Sequence, residues 1–426
     1  MKRTFTVFLS LLISLILLSD RLPAQGRRCH WGSSYIKATL NLTVEQNQYH
    51  FRAKRISTEQ HEGSRTTVFE VTGIIKSPND KGIGVGRQMK IWELTVPRVT
   101  GNLVRDTELA DSRQPGSAVI MVSNSGFPEN ASVLCEVDER VEAYLNATAA
   151  ALKGITDDKA RIAVFVPYLE SECEVVASDA LTEVVSNGYE GLSAVRDKLP
   201  RELIIQRTAN PNAFPSQLGN YGVLAGLCGT TEDAALLEAR IVILDAAYRH
   251  GIEGVMAGYL MIRGESGLTV LEDAKLRSRT AMTTDGEEVR LQFSEIYALM
   301  QALRFIWENA PDRIPKERLR ESMRLLLDIP EISDLAIRDL GRWKDWSLHD
   351  RLMLIYDDEE VVFPATRRAI VKYLLLSSRE KGDVSSDGQT TRPAHAIKAD
   401  ELLKRLETKD PKTVADANGF LAPAEQ

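Results

Sequence analysis

The sequence predicts a multidomain α+β chain: a small antiparallel β barrel or sandwich near the N-terminus, followed by an α-solenoid of stacked helical hairpins. Three observations predict it. Between Tyr35 and Glu45 apolar and polar residues alternate strictly, with Ile36, Ala38, Leu40, Leu42 and Val44 on one side, which is the period of a half-buried strand. After Glu139 the apolar spacing changes to three and four, as in Ile296, Met300, Leu303 and Trp307, the period of an amphipathic helix. Breakers then arrive at short intervals, at Asn187-Gly188, Pro200, Pro211, Gly229, Gly251, Pro311, Pro315 and Pro330, limiting each helix to roughly 10–18 residues joined by tight turns.

The first element, residues 1–25, has the grammar of a signal peptide. Lys2 and Arg3 precede an uncharged, mostly apolar run from Thr4 to Ser19, and Leu22-Pro23-Ala24 offers a small residue for cleavage before Gln25. The run is shorter than the roughly 20 apolar residues a spanning helix needs, and no later stretch approaches that length. The expectation is an exported protein, periplasmic or extracellular, with no membrane span after signal removal.

Residues 29–140 form the β-rich element. Besides Tyr35–Glu45, strands are expected at Tyr49–Arg55, Thr66–Ile75, Gln88–Val96, Ala118–Val122 and Ser132–Val137, separated by turn formers such as Ser77-Pro78-Asn79-Asp80 and Gln114-Pro115-Gly116. The composition resembles OB-like or netrin-like secreted barrels. Cys29 and Cys135 bracket this element and are the candidate disulfide, a bond worth on the order of 4–5 kcal/mol in the chain-entropy model. Four free thiols is the alternative.

Residues 150–378 make the helical body. In Arg161–Val185 an apolar stretch with Pro167 precedes a Glu-rich turn and a second helix marked by Val175, Ala177, Ala180 and Leu181. The same cadence returns at Leu352–Tyr356, Asp357–Glu360 and the helix after Pro364. The cadence is that of HEAT-like hairpins. With Gly219–Gly229, Gly254–Tyr259, Ala302–Glu308 and Trp343–Trp346, this body resembles an uncharacterised family of exported bacterial HEAT-repeat proteins of armadillo type. The resemblance implies an armadillo-type fold outside the membrane and carries no substrate, cofactor or catalytic residue. Residues 379–426 are too polar over Arg379–Pro393 to bury much surface and are expected to be a mostly disordered tail, with a helical turn or two over Ala399–Leu406.

Composition excludes some functions. The net charge is −7, and loss of the leader would remove Lys2, Arg3 and Arg21 against Asp20, so a nucleic-acid partner is disfavoured. The basic run Arg313–Arg324 is interleaved with Glu317 and Glu321, as on a solvated helix face. Six dispersed histidines give no ligand spacing, Gly82–Gly86 precedes a strand rather than a helix, and no Gly-x-Ser-x-Gly elbow occurs. No catalytic, cofactor-binding or metal-ligating residue is nominated, and no cofactor is expected. Trp307, Trp343 and Trp346 are the candidate binding-surface residues, because aromatics anchor interfaces, and core packing is the competing reading for each. The leading expectation is a non-enzymatic scaffold for a protein or cell-envelope component. An enzyme with a pocket between β domain and solenoid, and a glycan-binding module, are the alternatives.

Overall fold

A computed structural model of the chain describes residues 49–61, 64–77, 83–94, 118–123, 131–136, 139–186, 188–210, 215–245, 249–358, 363–382 and 391–419. These divide into two compact units, the first ending at Pro200 and the second beginning at Arg201. The signal-peptide segment, the expected strand Tyr35–Glu45 and Cys29 lie outside the described residues. The boundary expected near residue 140 therefore marks a change of secondary structure and not of packing unit.

In the first unit five strands, β1 (Tyr49–His61), β2 (Ser64–Lys76), β3 (Gln88–Leu94), β4 (Ala118–Ser123) and β5 (Ser132–Glu136), form one antiparallel sheet in the order β3-β2-β1-β4-β5. All five lie where the alternation predicts them. Phe51, Ala53, Phe69, Val71, Met89, Ile91, Val119 and Met121 share one buried cluster. Register shifts in β1 after His50, Arg52 and Arg55 interrupt its alternation. As a result Tyr49, His50 and Phe51 are buried in succession. The glycine-rich stretch ends in a turn at Val85-Gly86, where Gly86 takes φ +87° and donates its N–H to Val71 O at 2.7 Å. It is a connection between strands, as its sequence context implies.

Helices α1 (Glu139–Leu152), α2 (Asp158–Phe165), α3 (Glu174–Val185) and α4 (Gly188–Ala194) complete this unit. Asp157 caps α2 by accepting from Ala160 N. The helix stops at Phe165, and Pro167 opens a 3₁₀ turn over Val166–Glu170. Pro167 thus marks a helix end. Tyr144 of α1 donates to Asp179 of α3 at 2.8 Å and meets Phe165 and Tyr168 edge-on, and Arg161 pairs with Glu183 at 3.0 Å.

The second unit is helical apart from one hairpin. Its helices are α5 (Arg201–Ala209), α6 (Pro215–Cys228), α7 (Ala234–Val242), α8 (Ile252–Arg263), α9 (Glu265–Glu272), α10 (Phe293–Asn309), α11 (Lys316–Leu325), α12 (Ser333–Arg342), α13 (His349–Asp357), α14 (Pro364–Ser378), α15 (Ala394–Lys409) and α16 (Pro411–Gly419). Strands β6 (Thr280–Met282) and β7 (Glu288–Arg290) stand between α9 and α10.

Helices two apart pack on each other: α6 on α8, α8 on α10, α12 on α14 and α14 on α16. Ion pairs follow the same spacing. Arg201 of α5 grips Asp233 before α7 through two 2.8 Å bonds, Glu272 of α9 receives Arg318 of α11 at 2.6 Å, and Arg304 of α10 meets Asp339 of α12 at 2.6 Å. These bonds link partners far apart in sequence whose helices are near neighbours in space.

The closest approach is between α6 and α8. A Cβ added at Gly222 would lie 2.5 Å from Val255 N, and one at Gly226 would lie 2.6 Å from Gly258 Cα. Those at Gly254 and Gly258 would collide with the carbonyl oxygens of Gly219 and Gly222. The contacts rise together along both helices, so α6 and α8 run parallel with backbones touching, which only glycine permits.

The tail expectation is corrected. Within residues 379–426, α15 and α16 are ordered helices packed on α14, with Ala396, Ala399, Leu403, Leu406, Val414 and Ala417 buried. The spacing of the first four places them on one helix face, which suffices to dock a helix whose remaining positions are mostly polar or charged. Among the described residues no helix is long and apolar enough to cross a membrane.

Candidate functional site

The three tryptophans divide into two settings. Trp307 of α10 stacks on Trp343, just past α12, with centroids 4.2 Å apart and planes 8° from parallel. Lys316 Nζ and Arg320 Cζ stand 5.0 and 5.5 Å from the Trp307 centroid, and the Arg320 guanidinium donates to Trp343 O. This pair ties α10, α11 and α12 together. Trp343 is 5% exposed, which corrects its nomination as a surface residue. Trp346 is half-buried, edge-on to Tyr373 and stacked on His395 at 5.8 Å. It serves the docking of α15 on α14.

Cys135 lies in β5, and its proposed partner Cys29 lies outside the described residues. Cys173 and Cys228 are free. Burial pushes the Cys228 thiol up to about 11, so it is a poor nucleophile.

One serine meets a histidine. His349 Nδ1 is 2.8 Å from Trp346 O, and its Nε2 is 3.0 Å from Ser377 Oγ. Nδ1 therefore donates, and Nε2 accepts from the hydroxyl. Both residues are buried, so the pair is a polar link within the core and has no access to a substrate.

The most developed site lies around the hairpin. After α9 the chain makes a π-helical turn over Asp273–Arg277, a form that recurs where a helix is bent for function. The turn buries Lys275 completely, and its ammonium lies 2.8 Å from Glu295 in the first turn of α10. Arg249 reaches the same carboxylate with Nε at 2.9 Å and Nη2 at 2.5 Å, and donates to the carbonyls of Ile241 and Ile243 at 3.0 Å at the end of α7. Burial would raise the Glu295 carboxyl, but Arg249 and Lys275 together hold it below its ordinary value. Glu253 on α8 carries no such pair of cations, and burial raises its pKa. The two feet of the hairpin, residues 275 and 295, are thereby bolted together.

The hairpin turns at Asp285-Gly286, with Gly286 at φ +79° and its N–H on Thr283 O at 3.0 Å. Its β6 edge is covered by Leu244, which donates to Met282 O at 2.9 Å and accepts from Thr284 N at 3.1 Å. Below it lies a cavity of about 340 Å³ bounded by Arg279, Arg290, Phe293, Ile296, Ile329 and Ile332. Its lining joins aliphatic side chains to two arginines and Glu331. Arg290 reaches Glu331 only at 3.8 Å, with both side chains well exposed. Arg279 makes no ion pair among the described residues, and its buried Nε has no hydrogen-bond partner.

None of these groups was nominated from the sequence. Asp285-Gly286 is a readable hairpin signal, whereas Arg249, Lys275 and Glu295 follow no motif spacing. Among the described residues no group of three or more His, Cys, Asp or Glu is placed to hold a metal. Compared with models of known protein families and with curated proteins, the chain matches none.

Proposed function

We propose that the protein is an exported, non-enzymatic scaffold whose helical body is an α-solenoid of HEAT-like hairpins, and that it recognises a protein or cell-envelope component through that body. The observation that carries the reading is the packing of helices two apart at α6–α8, α8–α10, α12–α14 and α14–α16, with α6 and α8 parallel and in backbone contact. Such repetition stacks successive hairpins in one direction and builds an extended surface for a partner. The resemblance to exported bacterial helical-repeat proteins agrees with it. On this reading the five-stranded sheet is part of a small barrel or sandwich.

The test is cross-linking of the purified full chain in cell-envelope extract, followed by identification of attached species. A reproducible single partner supports the scaffold. Absence of any partner, together with turnover in a hydrolase substrate screen, would overturn it in favour of an enzyme.

A further inference from the structure

We propose that the cavity under the β6–β7 hairpin is a binding site for the C-terminal end of an extended peptide with an aliphatic last residue. Three features of one place converge on that chemistry. The cavity, about 340 Å³, has Ile296, Ile329, Ile332 and Phe293 in its wall, a volume at the low end of small-ligand sites and suited to one aliphatic side chain with its neighbouring backbone.

The rim carries two guanidinium groups and one carboxylate, Glu331. The Arg290–Glu331 separation of 3.8 Å is loose and solvated, so Arg290 is not committed to it. Arg279 has no carboxylate partner among the described residues and keeps a buried, unpaired Nε. A carboxylate is the best acceptor for two such loosely held guanidinium groups, because guanidinium and carboxylate meet through paired, charge-assisted bonds.

The third feature selects a peptide over a free acid. Leu291 N donates to Arg279 O at 2.8 Å and Thr283 N donates to Glu287 O at 2.8 Å. With the Ala281↔Val289 register between them, the N–H and C=O groups of Glu288 and Arg290 turn away from β6. That outer edge runs directly to Arg290 at the cavity rim, whereas the β6 edge is taken by Leu244. A third strand added along β7 would place its terminal carboxylate at the two arginines and its last side chain on the isoleucine floor, with the main chain giving affinity and the pocket giving selectivity. The π-turn and the Lys275–Glu295–Arg249 cluster fix the hairpin beforehand, so little ordering cost falls on the ligand.

This goes beyond the scaffold reading by naming a partner chemistry, and it stands or falls separately. The experiment is fluorescence polarisation of the full chain with a labelled hexapeptide ending in Val-Val-Leu, compared with its C-terminal amide and with unlabelled isocaproate as competitor. The free-acid peptide is expected to bind at least about tenfold tighter than the amide. Arg279→Gln and, independently, the exposed Arg290→Gln are expected to remove that preference, with circular dichroism unchanged. Equal binding of acid and amide, or no binding of either up to millimolar peptide, would overturn the proposal. Displacement by isocaproate as effective as by unlabelled peptide would overturn the peptide assignment and leave a free carboxylic acid as the ligand. None of these outcomes bears on the envelope cross-linking result, which decides the scaffold reading alone.

Discussion

The sheet and the helical stack bury ionisable groups in opposite ways. In β1, His50 is 1% exposed and neither ring nitrogen has a partner. Burial, with Lys76 adding to it, lowers its pKa to about 4, so it stays neutral at physiological pH. In the stack, Glu295 is equally hidden but keeps its charge, because Arg249 and Lys275 close around it. The cost of leaving water is met once by surrendering charge and once by pairing it. The difference teaches that the first unit is acid-sensitive at one strand, while the second depends on intact partnerships.

Removing a partner is the severest way to test that contrast. Glu295→Ala strands two buried cations and is expected to destabilise the protein by about 3–5 kcal/mol, read as a fall in the urea midpoint. A loss below about 1 kcal/mol would show that the cluster is dispensable. The sheet offers a smaller test through pH. The His50 pKa is lowered on folding, so its stability contribution is complete above the unfolded value near 6.5 and is lost as pH falls toward about 4. Relative to wild type, His50→Phe should gain on the order of 2–3 kcal/mol at pH 4 compared with pH 7, seen as a crossing of the two stability profiles. Parallel profiles would mean that His50 is hydrated. The gentlest test is at the outer ion pairs of α13 and α15, where Arg405 and Lys409 reach Asp357 at 2.7 and 2.8 Å. Asp357→Asn should cost no more than about 1 kcal/mol and appear as faster amide exchange confined to α15. A global loss would refute the distinction between buried and exposed pairs.

Much of this architecture is readable in the residues themselves. The β1–β5 strands announce themselves by alternation, and Asp285-Gly286 marks a hairpin inside an otherwise helical stretch. The glycine pattern is legible too. Gly219, Gly222 and Gly226 recur at Gly251, Gly254 and Gly258, with Val223 and Ala225 matched by Val255 and Ala257, an internal repeat that single-segment periodicity passes over. Ala396, Ala399, Leu403 and Leu406 spelled a docked helix within a stretch whose preceding polar run suggested disorder. The candidate site was not readable in this way. Periodicity reports which face of a helix is covered and is silent on the partner, so Arg279 resembles the neighbouring Arg277, which pairs with Glu272 and Asp273. Core packing of Trp343 is readable as one of two readings of an aromatic, but its particular cover, Trp307 on a distant helix, is not.

The parallel contact of α6 and α8 has a mechanical consequence. Where methyls and rings separate two helices, a change of residue can widen or narrow the gap by fractions of an ångström. Here peptide units themselves are the spacer, so the distance between these two helices is fixed and no hydrophobic exchange can tune it. Load applied across this contact passes from main chain to main chain, and compliance is left to the neighbouring helix contacts that side chains fill.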